Sequence, residues 1–112
     1  MSMGEADKKS SMTNAHASGA VILTHAVGLH ARPSVKLTKL AKTFRSQIEI
    51  SPGPEGPWID AKSIVKVMGA KVPQGSRLHF RAAGHDAGDA VAALIGLVER
   101  DFDEAQADAA NG

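Results

Sequence analysis

A histidine, an arginine and a proline lie within four positions in Val27-Gly28-Leu29-His30-Ala31-Arg32-Pro33. Gly28 allows a tight turn, and Pro33 fits the first turn of a helix, where a missing N–H matters least. The pattern therefore puts His30 at a helix start, beside backbone N–H groups that have no intrahelical partner. Such a start attracts anions, phosphate in particular. Its positive end disfavours an imidazolium and so favours the neutral, nucleophilic ring. Should the ring take up a phosphoryl group, the amides and the Arg32 guanidinium are placed to hold its oxygens. This fits reversible phosphorylation of His30. It fits hydrolysis poorly, because no general base or metal cluster accompanies it. On residue types alone, His30 as a plain polar cap also stands, with Arg32 as a solvated surface residue.

The other histidines, His16, His25, His79 and His85, are scattered without helical metal spacing to a carboxylate, so no metal and no cofactor is expected. Gly84-His85-Asp86-Ala87-Gly88 lacks the lysine and the glycine spacing of a phosphate loop and reads as a helix entry turn. With no cysteine there is neither a disulfide framework nor a thiol nucleophile. Three Phe, one Trp and no Tyr make a poor stacking platform, so nucleic acid is not an expected partner. No apolar run approaches the roughly 20 residues that span a bilayer, so no membrane insertion is expected. Residues 1–18 lack the apolar core of a secretory signal, which implies a cytoplasmic protein.

Charge is unevenly spread. From Gly19 to Ala82, ten Lys/Arg stand against three Asp/Glu, a charge of +7; from Ala83 to Gly112, one Arg stands against seven acids, a charge of −6. A basic body of this kind suits an acidic or phosphate-bearing partner.

The elements that must position His30 follow from periodicity. Ala20–His25 is a β-prone apolar run. From Ala31 to Phe44, Leu37, Leu40, Ala41 and Phe44 share one helical face, while Arg32, Lys36, Lys39 and Lys42 share the other with Val35. Gln47–Ser51 alternates as a strand, the segment 52–57 is a turn-rich loop, and Trp58–Asp60 reads as a short strand. Lys62–Gly69 is a short helix, and Arg77–Ala82 alternates with Leu78 and Phe80 inward. Asp86 is placed to cap a last helix whose stripe is Ala87, Val91, Leu94, Ile95, Val98 and Phe102. The order β-α-β-β-α-β-α predicts an α+β fold: a four-stranded antiparallel sheet covered on one face by three helices. Residues 1–18 and 103–112 are expected to be flexible tails, the second acidic, around a domain at 19–102.

Gly28-Leu29-His30-Ala31-Arg32-Pro33 resembles the signature of HPr, the histidine-containing phosphocarrier of the bacterial phosphoenolpyruvate-dependent phosphotransferase system. Ala61–Met68 resembles the family's Lys-Ser-Ile segment, and Pro73-Gln74-Gly75 its turn into the final strand. The resemblance implies an HPr-like open-faced β-sandwich. It implies that His30 takes a phosphoryl group on Nδ1 from enzyme I and passes it to a IIA-type component, serving sugar uptake or its regulation. Such a protein is a carrier rather than a stand-alone enzyme. Arg32 then corresponds to the arginine that contacts the phosphoryl group. Ser63 corresponds to a serine that an HPr kinase/phosphorylase modifies in some bacteria; its residue type fits a helix N-cap equally well. A docking patch is expected from Val35, Lys36, Lys39, Ile64, Val65 and Met68, rimmed further by Arg32 and Lys66. A variant carrier in a nitrogen-regulatory or dihydroxyacetone kinase relay is a rival, and a non-covalent anion-sensing module is a rival of another class. The sequence departs from common members at Val27, at Lys66 and in the long loop 52–57.

Overall fold

Four strands form one antiparallel sheet in a computed structural model that describes residues 15–26 and 28–103. They are β1 (His16–Ile22), β2 (Gln47–Ser51), β3 (Ile59–Asp60) and β4 (Arg77–Ala83), in the spatial order β1-β4-β2-β3. Helices α1 (Ala31–Ala41), α2 (Ile64–Gly69) and α3 (Ala87–Glu99) complete the chain, followed by a short 3-10 turn at Asp101–Asp103. This is the expected α+β open-faced sandwich.

Period-two alternation sorts the sheet's two faces. Leu78, Phe80 and Ala82 of β4 and Ile48 and Ile50 of β2 are buried. They pack with Leu37 and Ala41 of α1, Val67 of α2, and Ala87, Ala90, Val91, Leu94, Leu97 and Val98 of α3. Leu40 is partly buried against this core, as its helical spacing predicts; Phe44 is too, but α1 ends at Ala41, so the ring gets there from the turn beyond the helix and not from the helical face expected to run to Phe44. The other face carries Arg77, His79 and Arg81 and stays open. There Arg81 pairs with Glu49 at 2.7 Å and stacks 4.1 Å over the ring of Trp58. Helix α3 lies so close over β1 that a Cβ at Gly19 would sit 2.7 Å from Ile95 Cδ1.

Several expectations need correcting. Strand β1 begins at His16, not Ala20, because His16, Ala17 and Ser18 pair with Ala83, Ala82 and Arg81. The domain boundary expected at Gly19 thus falls inside a strand, and the second tail expected from Asp103 begins within the 3-10 turn; residues 1–14 and 104–112 of the expected tails lie outside the described residues. His25, expected at a strand end, is in the loop beyond, where the chain leaves the ladder after Ile22. Trp58 precedes β3, and Lys62 precedes α2.

The last helix stops at Glu99, short of Phe102. Asp101, Phe102 and Asp103 have φ of 56°, 57° and 61°. This left-handed turn swings the Phe102 ring back into the core, where it is fully buried and meets the His25 ring edge-on, 5.7 Å between centroids. Such a conformation costs about 1 kcal/mol or more per residue, least for Asp, and ring burial opposes that cost. Lys36 Nζ also donates to the Phe102 carbonyl at 2.9 Å.

Asp86 stands at the N-cap position but makes no side-chain bond to its own helix. Its carboxylate accepts instead from the Arg45 and Ser46 amides, both at 2.9 Å, and from the Ser46 hydroxyl. The Ser46 hydroxyl and the Arg45 amide, with a smaller part from the Ser46 amide, lower its pKa from 3.8 to about 2.

Candidate functional site

His30 is the N-cap residue of α1, with extended backbone (φ −92°, ψ −165°), and its exposed ring makes no capping hydrogen bond. The imidazole is therefore not spent on holding the helix. The local fold explains its position. Gly28 has φ +74°, and a Cβ there would lie 2.5 Å from the Val72 carbonyl oxygen. This close approach lets Leu29 N–H donate to that carbonyl at 2.9 Å, with Leu29 and Val72 each 2% exposed. Ser34 N–H closes the first turn on the His30 carbonyl at 2.9 Å, while its hydroxyl donates to the Leu29 carbonyl at 3.3 Å. Pro33 has no N–H to offer. The amides of Ala31 and Arg32 are left without intrahelical acceptors, on the side where the dipole is positive. No acidic residue lies in this first turn.

A cleft of about 390 Å³ opens beside the histidine, lined by Leu29, His30, Met68, Lys71, Val72 and Pro73. A larger hollow of about 520 Å³ lies on the open face of the sheet, among His16, Ser18, Gln47, Glu49 and Arg81. Its central charges neutralise each other through the Glu49–Arg81 pair.

The other expected residues divide into two groups. Arg32, Val35 and Lys39 are exposed on α1, with Val35 41% accessible. Helix α1 packs against α2, where Val65 (75%) and Met68 (40%) are exposed and Ile64 is half-buried. Apolar side chains on both helices are thus left uncovered, with Arg32, Lys39 and Lys66 exposed as cations on the same two helices. Lys36 differs from the expectation: its ammonium is tied to the Phe102 carbonyl, so it is not a purely solvated rim residue. Ser63 is the N-cap of α2, its hydroxyl oxygen accepting from Lys66 N–H at 3.3 Å.

Two residues of the site escaped the sequence reading. Ser34 ties the loop to the first helical turn; a serine behind Pro33 was the available signal. Lys71, with φ +50°, lines the cleft beside His30. It precedes the Val72–Gly75 turn, but nothing local in the sequence connects it to His30. Among the described residues no group of three or more His, Asp or Glu side chains is arranged to hold a metal ion. Among the same residues no helix is long and apolar enough to cross a membrane.

The family model "PTS HPr component phosphorylation site" matches residues 17–100. The chain belongs to the HPr phosphocarrier family of the phosphotransferase system. It is 41% identical over 80 residues to the phosphocarrier protein HPr of Cupriavidus necator, covering 71% of this chain and 88% of that one. It is 36% identical over 84 residues to the phosphocarrier protein NPr of Proteus mirabilis, covering 75% and 92%. Among solved structures, an HPr from Thermoanaerobacter tengcongensis superposes with a TM-score of 0.71 at 32% identity, over 77% of this chain and 94% of that one. HPr-family proteins are phosphocarriers, and the matched span 17–100 includes His30, the exposed residue at the start of α1.

Proposed function

We propose that His30 is the phosphoryl acceptor of this carrier, charged by enzyme I and discharged to a histidine of a IIA-type protein. The observation that carries the reading is an exposed imidazole at a helix N-cap that makes no capping bond, beside unpaired amides and a basic surface. In the transfer step, the lone pair of Nδ1 forms a bond to phosphorus while the donor's N–P bond breaks. The electron pair of that bond returns to the donor's ring, and the phosphoryl group arrives with its charge. The Ala31 and Arg32 amides and the Arg32 guanidinium then hold its oxygens. Discharge is the same step in reverse, onto the acceptor.

Val35, Val65 and Met68, with Ile64 at their edge, give both partners an apolar contact, and Lys39 and Lys66 select acidic surfaces around it. Weak, transient docking suits a relay, because tight binding would stall it. The carrier works in the cytoplasm. Its acceptor defines whether it serves sugar uptake or a regulatory branch such as a nitrogen-responsive relay. Ser63 is a regulatory position open to an ATP-dependent kinase: a phosphate there sits at a helix start that tolerates it, yet repels an acidic partner.

Incubation with phosphoenolpyruvate and enzyme I, followed by intact-mass measurement, tests the reading. One acid-labile phosphoryl adduct is expected, absent from His30→Ala. An adduct that survives in His30→Ala, or none in the unsubstituted protein, overturns it.

A further inference from the structure

The geometry points to Lys71 as a second cation for the phosphoryl group on His30, an assignment that rests on the carrier reading above. The cleft beside the His30 ring is lined by Lys71, and the residues around it include no carboxylate. Arg32 is not among the residues that line it; it leaves the site on the α1 side. A phosphoryl group on His30 is thus flanked by Arg32 on α1 and by Lys71 across the cleft.

The backbone fixes this relation. Lys71 follows Ala70, the C-cap of α2, and its N–H donates to the Met68 carbonyl at 3.2 Å. Its φ of +50° is a conformation that side-chain-bearing residues rarely adopt. That conformation turns the chain so that Val72, the next residue, accepts from Leu29, the residue before His30. The two side chains therefore spring from positions adjacent to a single buried hydrogen bond. A left-handed residue at the end of a helix is ordinarily served best by glycine. A lysine held there, at the mouth of a cleft that contains the nucleophile, is the pattern of strain kept at a functional site.

Chemistry agrees. Among the described residues the Lys71 side chain has no ion-pair or hydrogen-bond partner, so its ammonium is available. A phosphoryl group carries close to two negative charges near neutral pH, and a lysine meets it as a compact point charge. Lys71 takes no part in bond making. It stabilises the dianion on His30, beside Arg32 on α1 and with Lys66 as the further cation on α2.

Phosphoramidate, a small chemical phosphoryl donor, tests this without any partner protein, so that docking does not enter. Phosphorus NMR follows the second ionisation of the adduct, with His30→Ala identifying which signal belongs to His30. In Lys71→Met that ionisation should move up by about half a pH unit, roughly threefold in proton affinity. Lys71→Arg should keep the original value. Lys71→Gly, which also relieves the positive φ, should shift as Lys71→Met does while gaining thermal stability. A Lys71→Met adduct that titrates with the unsubstituted one overturns the Lys71 assignment alone. Failure of phosphoramidate to modify His30 overturns the carrier reading and this inference together.

Discussion

Replacing Gly28 by alanine should damage both stability and transfer, by an amount the structure fixes. With φ at +74°, alanine incurs the left-handed cost of about 1–2 kcal/mol. The new Cβ would also stand 2.5 Å from the Val72 carbonyl oxygen, 3.0 Å from Pro73 Cα and 3.1 Å from Gln74 N. All three are backbone atoms, so no side chain can rotate away. The loop that bears His30 must instead part from the α2–β4 turn by about 1 Å to reach ordinary contact. That movement stretches the buried Leu29–Val72 hydrogen bond, whose loss is worth about 1–3 kcal/mol. Together the two effects amount to about 2–5 kcal/mol, or a fall in melting temperature of about 10–40 °C for a domain this small. A shift of this size in the nucleophile's seat should slow phosphoryl delivery at least about tenfold. Chemical denaturation and quench-flow transfer from phospho-enzyme I read the two effects separately. Gly28→Asn offers a control: asparagine accepts positive φ but carries the same Cβ, so it should recover only the conformational part. A Gly28→Ala protein within about 0.5 kcal/mol of the original, transferring at the original rate, would refute the view that this contact seats His30.

Arg32→Ala should leave the unfolding midpoint within about 0.5 kcal/mol, because Arg32 is exposed, yet slow transfer about tenfold to a hundredfold; an unchanged stopped-flow rate would contradict its role. Ser63→Asp should fold normally, since aspartate also caps helices, while delivery from enzyme I slows about tenfold through repulsion of an acidic partner. Equal rates for the two proteins would count against regulation at this position. For Asp86, hydrogen bonds from Ser46 and Arg45 favour the charged form in the folded state, so its carboxyl titrates at about 2 instead of 3.8. Its contribution is present in full above about pH 4 and is lost as pH falls through about 2. The stability gap between the unsubstituted protein and Asp86→Asn should therefore narrow over that range; urea midpoints whose difference stays constant from pH 7 to pH 2 would be the contrary result.

What could be read from the sequence was whatever a short stretch of chain decides by itself. The alternation that puts Leu78 and Phe80 inward and the helical face of Leu37, Leu40 and Ala41 are set by local periodicity, and both lie where expected. The position of His30 at a helix start was legible for the same reason, because the turn glycine, the histidine and the helix-starting proline are contiguous. The features that escaped are joined by tertiary contacts. The first residues of β1 are small or polar and carry no apolar pattern; β4 makes them a strand by offering its backbone. Phe102 has the spacing of a helical stripe residue, but the helix ends first and a left-handed turn delivers the ring by another route. Asp86 looks like a cap for its own helix, yet its carboxylate is more fully used 40 residues away, by two amides and a hydroxyl at Arg45 and Ser46. Lys71 follows the same logic at the site itself. Tertiary contacts such as the Leu29–Val72 hydrogen bond make it a neighbour of His30, so a motif read along the chain supplies the proposed nucleophile and one counter-charge and omits the other wall of the cleft. The charge that a phosphoryl group on His30 would meet is thus set jointly by α1 and by the end of α2. Two relatives with the same hexapeptide around the histidine can therefore hold their phosphoryl groups with different strength, according to the residue that stands at the position of Lys71.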